Sequence, residues 1–249
     1  MTTVGLIGLG AMGTGMAQSL RRAGHAVQVY DVRREAAESF AREGGTACAS
    51  LAELAAACDV VISVVVNAMQ TESVLFGEEG CAAHLKPGSV FVMCSTVDPN
   101  WSMALEARLE AIGLRYIDAP ISGGAAKAAS AQMTMMTAGR PEAYAVAEPM
   151  LHAMAAKVYK LGNQAGAGSK VKIINQLLAG VHIAAAAEAM ALGLREGVDP
   201  GALYEVITHS AGNSWMFENR MAHVLAGDYT PLSAVDIFVK DLGLVLDVA

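Results

Sequence analysis

The sequence predicts an α/β chain: a doubly wound, mainly parallel sheet followed by an all-α second domain. Three observations carry that expectation. Over roughly the first 160 residues, short apolar runs alternate with segments of helical periodicity. The first apolar run enters a glycine-rich turn that opens directly into a helix. Past Gly162-Asn163-Gln164-Ala165-Gly166-Ala167-Gly168 only helical patterns remain. The expected division is residues 1–162 and residues 163–249.

The first strand is expected at Val4–Gly8 and leads into Gly8-x-Gly10-x-x-Gly13. Gly8 lets the chain turn sharply, Gly10 leaves room for a close-lying ligand, and Gly13 lets the new helix pack near the strand. Met16, Leu20 and Ala23 form an apolar stripe on that helix. Arg21 and Arg22 suit its last turn, and Gly24 is placed to end it. A second strand, Val27–Tyr30, ends on Asp31, eighteen residues after Gly13. Strand, glycine turn, helix, strand and acid together describe a dinucleotide pocket of Rossmann type. The turn Gly10-Ala11-Met12-Gly13 and the free N–H groups behind it suit a pyrophosphate. A carboxylate at position 31 accepts both ribose hydroxyls and repels a 2′-phosphate, so NAD is favoured over NADP. Arg33 and Arg34 soften that preference.

Further parallel strands are expected at Val60–Val65, Val90–Cys94 and Tyr116–Asp118, with Gln132–Thr137 and Lys157–Lys160 extending the sheet. Ser50-Leu51-Ala52-Glu53 reads as a capping box. Asp98-Pro99 and Arg140-Pro141 place proline at a first helical position. In the second domain a long helix runs from Ser169 to about Arg195, Gly197 stops it, and Asp199-Pro200 opens another. The helical pattern still runs at Leu242–Ala249, so this domain is expected to be C-terminally incomplete.

With 54% hydrophobic and 16% charged residues among 249, the chain can bury a sizeable core. Such apolar richness also points to surface covered by another subunit, a homo-oligomer of two or four copies. A net charge of −7 without a basic tract argues against nucleic acid. The longest uncharged helical stretch, Ile173–Ala187, is too short and too polar for a membrane span. No secretion signal precedes the first strand, so the expected compartment is cytoplasmic. Cys48, Cys58, Cys81 and Cys94 lack CxxC spacing and read as reduced, buried thiols. No cluster has metal-ligand spacing, and His182 reads as a packed histidine.

Four further segments carry chemistry. Ser95-Thr96-Val97-Asp98-Pro99 follows the fourth strand, where ligands gather at a sheet edge. In Asp118-Ala119-Pro120-Ile121-Ser122-Gly123-Gly124, Ser122 and the N–H groups of Gly123 and Gly124 suit a small carboxylate. In Gly166-Ala167-Gly168-Ser169-Lys170-Val171-Lys172-Ile173-Ile174-Asn175-Gln176, Lys172, Asn175 and Gln176 share a helix face. Placed in the first turn, Lys172 would have its pKa lowered by the helix dipole and a nearby oxidised nicotinamide. It could then exchange a proton with an alcohol. Phe238-Val239-Lys240-Asp241-Leu242 sets a charged pair inside an apolar helix.

The ordered set GLIGLGAMG, CSTVDP, DAPISGG, GAGSKVK and FVKDLGL resembles the 3-hydroxyisobutyrate (β-hydroxyacid) dehydrogenase family over essentially the whole chain. The resemblance implies NAD-dependent oxidation of a small hydroxy acid, with the helical domain mediating oligomer formation. It assigns the general acid/base to Lys172 and substrate binding to Ser122, Gly123 and Gly124. Cofactor contacts fall on the glycine loop, Val65, Val66, Thr96 and Lys240. Many members carry asparagine four residues after the lysine, whereas this chain has Gln176 there and Asn175 one step earlier. Within the family, KIINQLLAGVHIAAAAEAMAL and Gly212–Arg220 point to a threonate-like substrate and a 2-oxo sugar acid product. Tartronate semialdehyde and 3-hydroxyisobutyrate are the competing substrates. A non-enzymatic NAD-binding sensor or scaffold is the reading from another class.

Overall fold

The computed structural model describes residues 3–230 and 234–249. Contacts divide the chain into two compact units, Met1–Lys172 and Ile173–Ala249. The first runs β1 (Thr3–Ile7), α1 (Gly13–Arg22), β2 (Ala26–Tyr30), α2 (Arg34–Arg42), β3 (Thr46–Ala47), α3 (Leu51–Ala57), β4 (Val60–Ser63), α4 (Ala68–Phe76), β5 (Val90–Met93) and α5 (Pro99–Ala111). It continues through β6 (Arg115–Asp118), β7 (Ile121–Ser122), α6 (Gly124–Ala129), β8 (Met133–Gly139), α7 (Pro141–Met154) and β9 (Ala155–Lys160) into α8 (Ala167–Arg195). The helical unit adds α9 (Pro200–Thr208), α10 (Trp215–Leu225) and α11 (Asp236–Val248) to the rest of α8.

The strands lie in the order β3-β2-β1-β4-β5-β6-β8-β7, with β9 paired to β8. From β3 to β6 every pairing is parallel, and β8 runs antiparallel to β6 and β7. The central strands are apolar on both faces because helices cover both. Val60, Ile62, Val90 and Val92 pack with Met16, Leu20, Met150 and Leu151 of α1 and α7. Val61, Phe91 and Met93 point the other way, to Leu54, Leu75, Leu105 and Leu109 of α3, α4 and α5. The chain order reverses between β1 and β4, which opens a crevice at their carboxyl ends.

Local signals explain most boundaries. Gly24 ends α1 with φ +89°, and Ala23 is the exposed C-cap rather than part of the buried stripe. Ser50 caps α3 by accepting the Glu53 N–H at 3.1 Å. The Glu53 carboxylate reaches back to the Ala49 N–H at 2.6 Å, one residue beyond the expected reciprocal partner, the Ser50 N–H. Asp98 and Asp199 cap α5 and α9. The two-residue strands β3 and β7 are too short to leave a sequence pattern.

In the helical unit, Ala186 and Met190 of α8 pack with Phe217 and Met221 of α10, and the Phe217 ring stacks on Tyr204 at 5.8 Å. His182 is half-buried, outside that cluster. Ile174, Leu178, Val181, Leu192 and Leu194 stay largely exposed. By length and composition α8 suffices to cross a bilayer, because a span tolerates the few charges that bound Ile173–Ala187. It is the one such helix among the described residues, and a core helix of a water-soluble domain meets the same criterion.

Candidate active site

The crevice between β1 and β4 is built from backbone. Gly8 turns with φ +96°, its N–H bonded to the Tyr30 carbonyl at 2.9 Å. A Cβ on Gly13 would fall 1.8 Å from the Gly8 carbonyl oxygen, so α1 starts against the preceding turn. A Cβ on Gly10 would meet no protein atom within 4 Å, so this position faces open space at the head of α1. Ala11 is exposed and Met12 half-buried beside it. The residues therefore fit a dinucleotide: a backbone cradle, a helix N-terminus of ten residues and an acid at the next strand end.

That acid is held from several sides. One oxygen of Asp31 accepts the Leu9 N–H at 2.6 Å, and the other accepts the Arg33 N–H at 2.7 Å and its Nε at 3.3 Å. Burial pushes the Asp31 pKa up, but the N–H groups of Arg33 and Leu9 and the Arg33 guanidinium outweigh it. The carboxyl is held below its usual value. The same guanidinium reaches the Leu9 carbonyl at 3.1 Å.

On the other side of the switch, Val65 is half-buried and Val66 exposed. Ser95 donates to the Val65 carbonyl at 2.7 Å, while the Gln70 side chain accepts the Val66 N–H at 2.8 Å. Asn67 caps α4 immediately behind them. Thr96, half-buried, follows Ser95 at the end of β5. Sequence reasoning named Val65, Val66 and Thr96, and Ser95 only within its segment, but missed Asn67; Ser95 and Asn67 hold that loop in place.

Ser122 lies in β7 opposite Thr134, and Gly123 and Gly124 then turn with φ +139° and +76° into α6. Ser122 and Gly123 are half-buried and Gly124 is exposed. Across the sheet edge, Asp118 ends β6 and organises the start of α8. One Asp118 oxygen accepts the N–H groups of Gly166 and Ser169, both at 2.9 Å, and the other accepts the Ser169 hydroxyl at 2.7 Å. Burial raises its pKa, with the Ser169 hydroxyl and the two N–H groups opposing. A Cβ on Gly168 would lie 2.4 Å from the Met136 carbonyl oxygen, so helix backbone meets sheet backbone.

Lys172 is one turn beyond Gly168 on the same face and is only 6% exposed. It is a buried lysine rather than a solvated surface charge. Because α8 starts at Ala167 rather than Ser169, Lys172 is the sixth helical residue and stands beyond the first turn. The helix-dipole contribution expected there fades by that depth.

In the helical unit, Asn175 donates to the Gln176 side-chain oxygen at 3.1 Å. Gln176, itself buried, donates to Asp241 at 2.6 Å. The other Asp241 oxygen lies 2.9 Å from the Lys240 ammonium. A carboxylate 1% exposed thus joins α11 to α8 and ties together two residues singled out by sequence. Asp241 had been named there only as Lys240's neighbour.

Comparison with known proteins gives two family matches in succession. Residues 3–162 match the family described as the NAD binding domain of 6-phosphogluconate dehydrogenase. Residues 166–249 match the one described as NAD-binding of NADP-dependent 3-hydroxyisobutyrate dehydrogenase. An L-threonate dehydrogenase of Cupriavidus necator is 67% identical over 246 residues, 99% of this chain and 83% of that protein. An L-threonate dehydrogenase of Escherichia coli K12 is 50% identical over 99% of this chain and 82% of its own length. The crystal structure of a 3-hydroxyisobutyrate dehydrogenase from Salmonella typhimurium superposes with a TM-score of 0.93 at 51% identity. It covers 100% of this chain and 87% of that one.

Proposed function

The chain belongs to the 3-hydroxyisobutyrate dehydrogenase family, and on that premise we propose that it oxidises L-threonate to the 2-oxo acid. It is an NAD-dependent hydroxy acid dehydrogenase. The observation that carries the choice of substrate is 67% identity to a protein named L-threonate dehydrogenase, over 99% of this chain. We propose residues 1–162 as the dinucleotide-binding part and 163–249 as the substrate and oligomerisation part.

Bound NAD⁺ supplies the hydride acceptor. The chain's own residues do the rest. The Ser122 hydroxyl and the N–H groups of Gly123 and Gly124 take the substrate carboxylate. Lys172, as the neutral amine, removes the hydroxyl proton and then stabilises the developing carbonyl oxygen as the ammonium. Asn175 and Gln176 orient the substrate's hydroxyls. Gly8, Gly10, Ala11, Met12, Gly13 and Asp31 hold the cofactor, with Val65, Val66, Thr96 and Lys240 as its further contacts. The burial of Lys172 supports its part, since at 6% exposure its amine is set apart from the solvated lysines of a helix surface.

A panel of short hydroxy acids, read by NADH absorbance with NAD⁺ and with NADP⁺, tests this. L-threonate with NAD⁺ is expected to give the highest kcat/KM, ahead of 3-hydroxyisobutyrate, L-serine and glycerate. Preference for another acid would replace the substrate. Nucleotide binding without turnover on any acid would favour a sensor or scaffold. Lys172→Ala should lower kcat about 10²–10⁴-fold with the NADH Kd little changed. A variant of near wild-type rate removes Lys172 from the chemistry. We also propose a cytoplasmic homo-oligomer, supported by four free buried thiols and by the exposed apolar side chains of α8. Light scattering at several concentrations reads the subunit number.

A further inference from the structure

The segment carrying Ser122, Gly123 and Gly124 does not support itself. α6 has six residues, far too few for a helix that stands alone. Its C-terminal end leaves carbonyls without intrahelical donors. Ser130 and Gln132 meet those of Ala126 and Lys127, while the carbonyls of Ala128 and Ala129 draw donors from α1. A Cβ on Gly15 would lie 2.6 Å from the Ala129 nitrogen and 2.8 Å from the Ala128 carbonyl carbon, so the two helices touch backbone to backbone. One turn further, Ser19, 2% exposed, donates its hydroxyl to the Ala128 carbonyl at 3.0 Å. Arg22 donates to the Ser19 hydroxyl oxygen at 2.8 Å and to the Ala129 carbonyl. Gly15, Ser19 and Arg22 are spaced i, i+4, i+7 and form one face of α1. Immediately past the junction Ala131 takes φ +57°, an unusual value for a residue with a Cβ.

We propose that α1, which begins at the Gly10–Gly13 turn and packs through Gly15 against α6, sets the position of the Ser122-Gly123-Gly124 turn through this junction. Gly15, Ser19 and Arg22 are then positioning residues for the hydroxy acid, although none belongs to its turn. The reasoning is one of rigidity and length. At 1.5 Å per residue α6 spans only about 9 Å. A shift at its C-terminal end passes to the turn with little loss. An added Cβ at Gly15 has only backbone to press against, and relieving it moves α6 by about 1 Å, enough to cost on the order of 10²-fold where alignment matters. The inference rests on the reading that this turn takes the substrate carboxylate.

The test separates that reading from the junction. Gly15→Ala, Ser19→Ala, Arg22→Ala, Arg22→Lys and Ser122→Ala are compared with wild type in the full chain. KM and kcat for L-threonate, the NADH Kd by fluorescence, and amide exchange across residues 121–131 are measured. Gly15→Ala is expected to raise KM about 10–100-fold and to speed exchange in that segment, with the NADH Kd within about threefold. Ser19→Ala should move the same way less strongly, keeping the test open if Gly15→Ala fails to fold. Arg22→Lys should recover part of what Arg22→Ala loses. Unchanged exchange at 121–131 in Ser19→Ala and Arg22→Ala overturns the junction itself. A KM that rises only in step with the NADH Kd shows α1 acting through the cofactor alone, and also overturns it. An unchanged KM in Ser122→Ala removes the turn from substrate binding, and the inference falls with that reading.

Discussion

Gly10 and Gly13 differ in what a methyl group would strike. At Gly13 the new Cβ would sit 1.8 Å from a carbonyl oxygen, and no side chain can yield. At Gly10 it would meet no protein atom within 4 Å. Gly13→Ala should therefore cost both stability and cofactor affinity. Gly10→Ala should leave the melting temperature within about 2 °C while weakening NADH binding at least about tenfold. Calorimetry beside a fluorescence titration reads both, and a Gly10→Ala protein that binds NADH normally would place the pyrophosphate elsewhere. Asp31 sets the second choice at this end. Its carboxyl is held below the usual value, so it is anionic throughout the neutral range. Any stability it contributes is present above the ordinary carboxylate pKa near 3.8 and is lost only as pH falls through the lowered folded value. Asp31→Asn keeps an acceptor and removes the charge that repels a 2′-phosphate, while the Arg33 side chain, 65% exposed, stays beside it. The ratio of kcat/KM for NAD⁺ over NADP⁺ should shrink about 10–100-fold, about 1.4–2.8 kcal/mol. An unchanged ratio would move cofactor choice to other residues.

The start of α8 shows which parts of the site a sequence can carry. Lys172, Asn175 and Gln176 were legible because helical spacing is local, and Lys172 gained its role from an ordered set of motifs. The helix start was read two residues late because the group that caps it is not local. Asp118 is 48 residues from Gly166 and 51 from Ser169, so no pattern in the helix announces it. The Gln176–Asp241 bond, 65 residues apart, escaped for the same reason. The expected division at residue 162 and the contact boundary after Lys172 differ by ten residues, the loop before α8 and its first six residues, which Asp118 and Gly168 bind to the sheet. Removing the carboxylate is then a test of the element. Asp118→Ala leaves two buried N–H groups and a hydroxyl without partners, at about 1–3 kcal/mol each. It should lower the melting temperature and kcat together. Asp118→Asn can still accept both N–H groups through its oxygen and donate to Ser169 through its nitrogen. It should keep kcat within about tenfold, since hydrogen-bond geometry survives without charge. Equal losses in both variants would mean that the charge, rather than the bonding, matters.

Across the first unit, β4 and β5 are buried on both faces, where apolar runs are obligatory and plainest in sequence, whereas β2 and β9, also located, are partly exposed. The strand order comes from pairings between distant segments that no local pattern carries, and β3 and β7, two residues each, leave no periodicity. The same double-sided burial encloses the four thiols, and it has a consequence at high pH. Burial pushes Cys58, Cys81 and Cys94 up to about 12 and Cys48 up to about 11, from an ordinary value of 9.0. In the unfolded chain these thiols ionise near 9, while the folded protein keeps their protons until about 11–12. Between those values the unfolded state binds fewer protons, so folding stability is fully present below pH 9 and falls as pH rises. Urea midpoints at pH 8 and pH 10.5 should therefore drop more in wild type than in a Cys81→Ala/Cys94→Ala double variant. That variant starts less stable because it loses buried volume. In the native protein at pH 8, a disulfide reagent should label the thiols only at the rate of unfolding, because the thiolate is the reactive form and burial suppresses it. Rapid labelling of any one of them before unfolding, or equal pH slopes in the two proteins, would mean that these side chains are more open to water than their packing against the sheet allows.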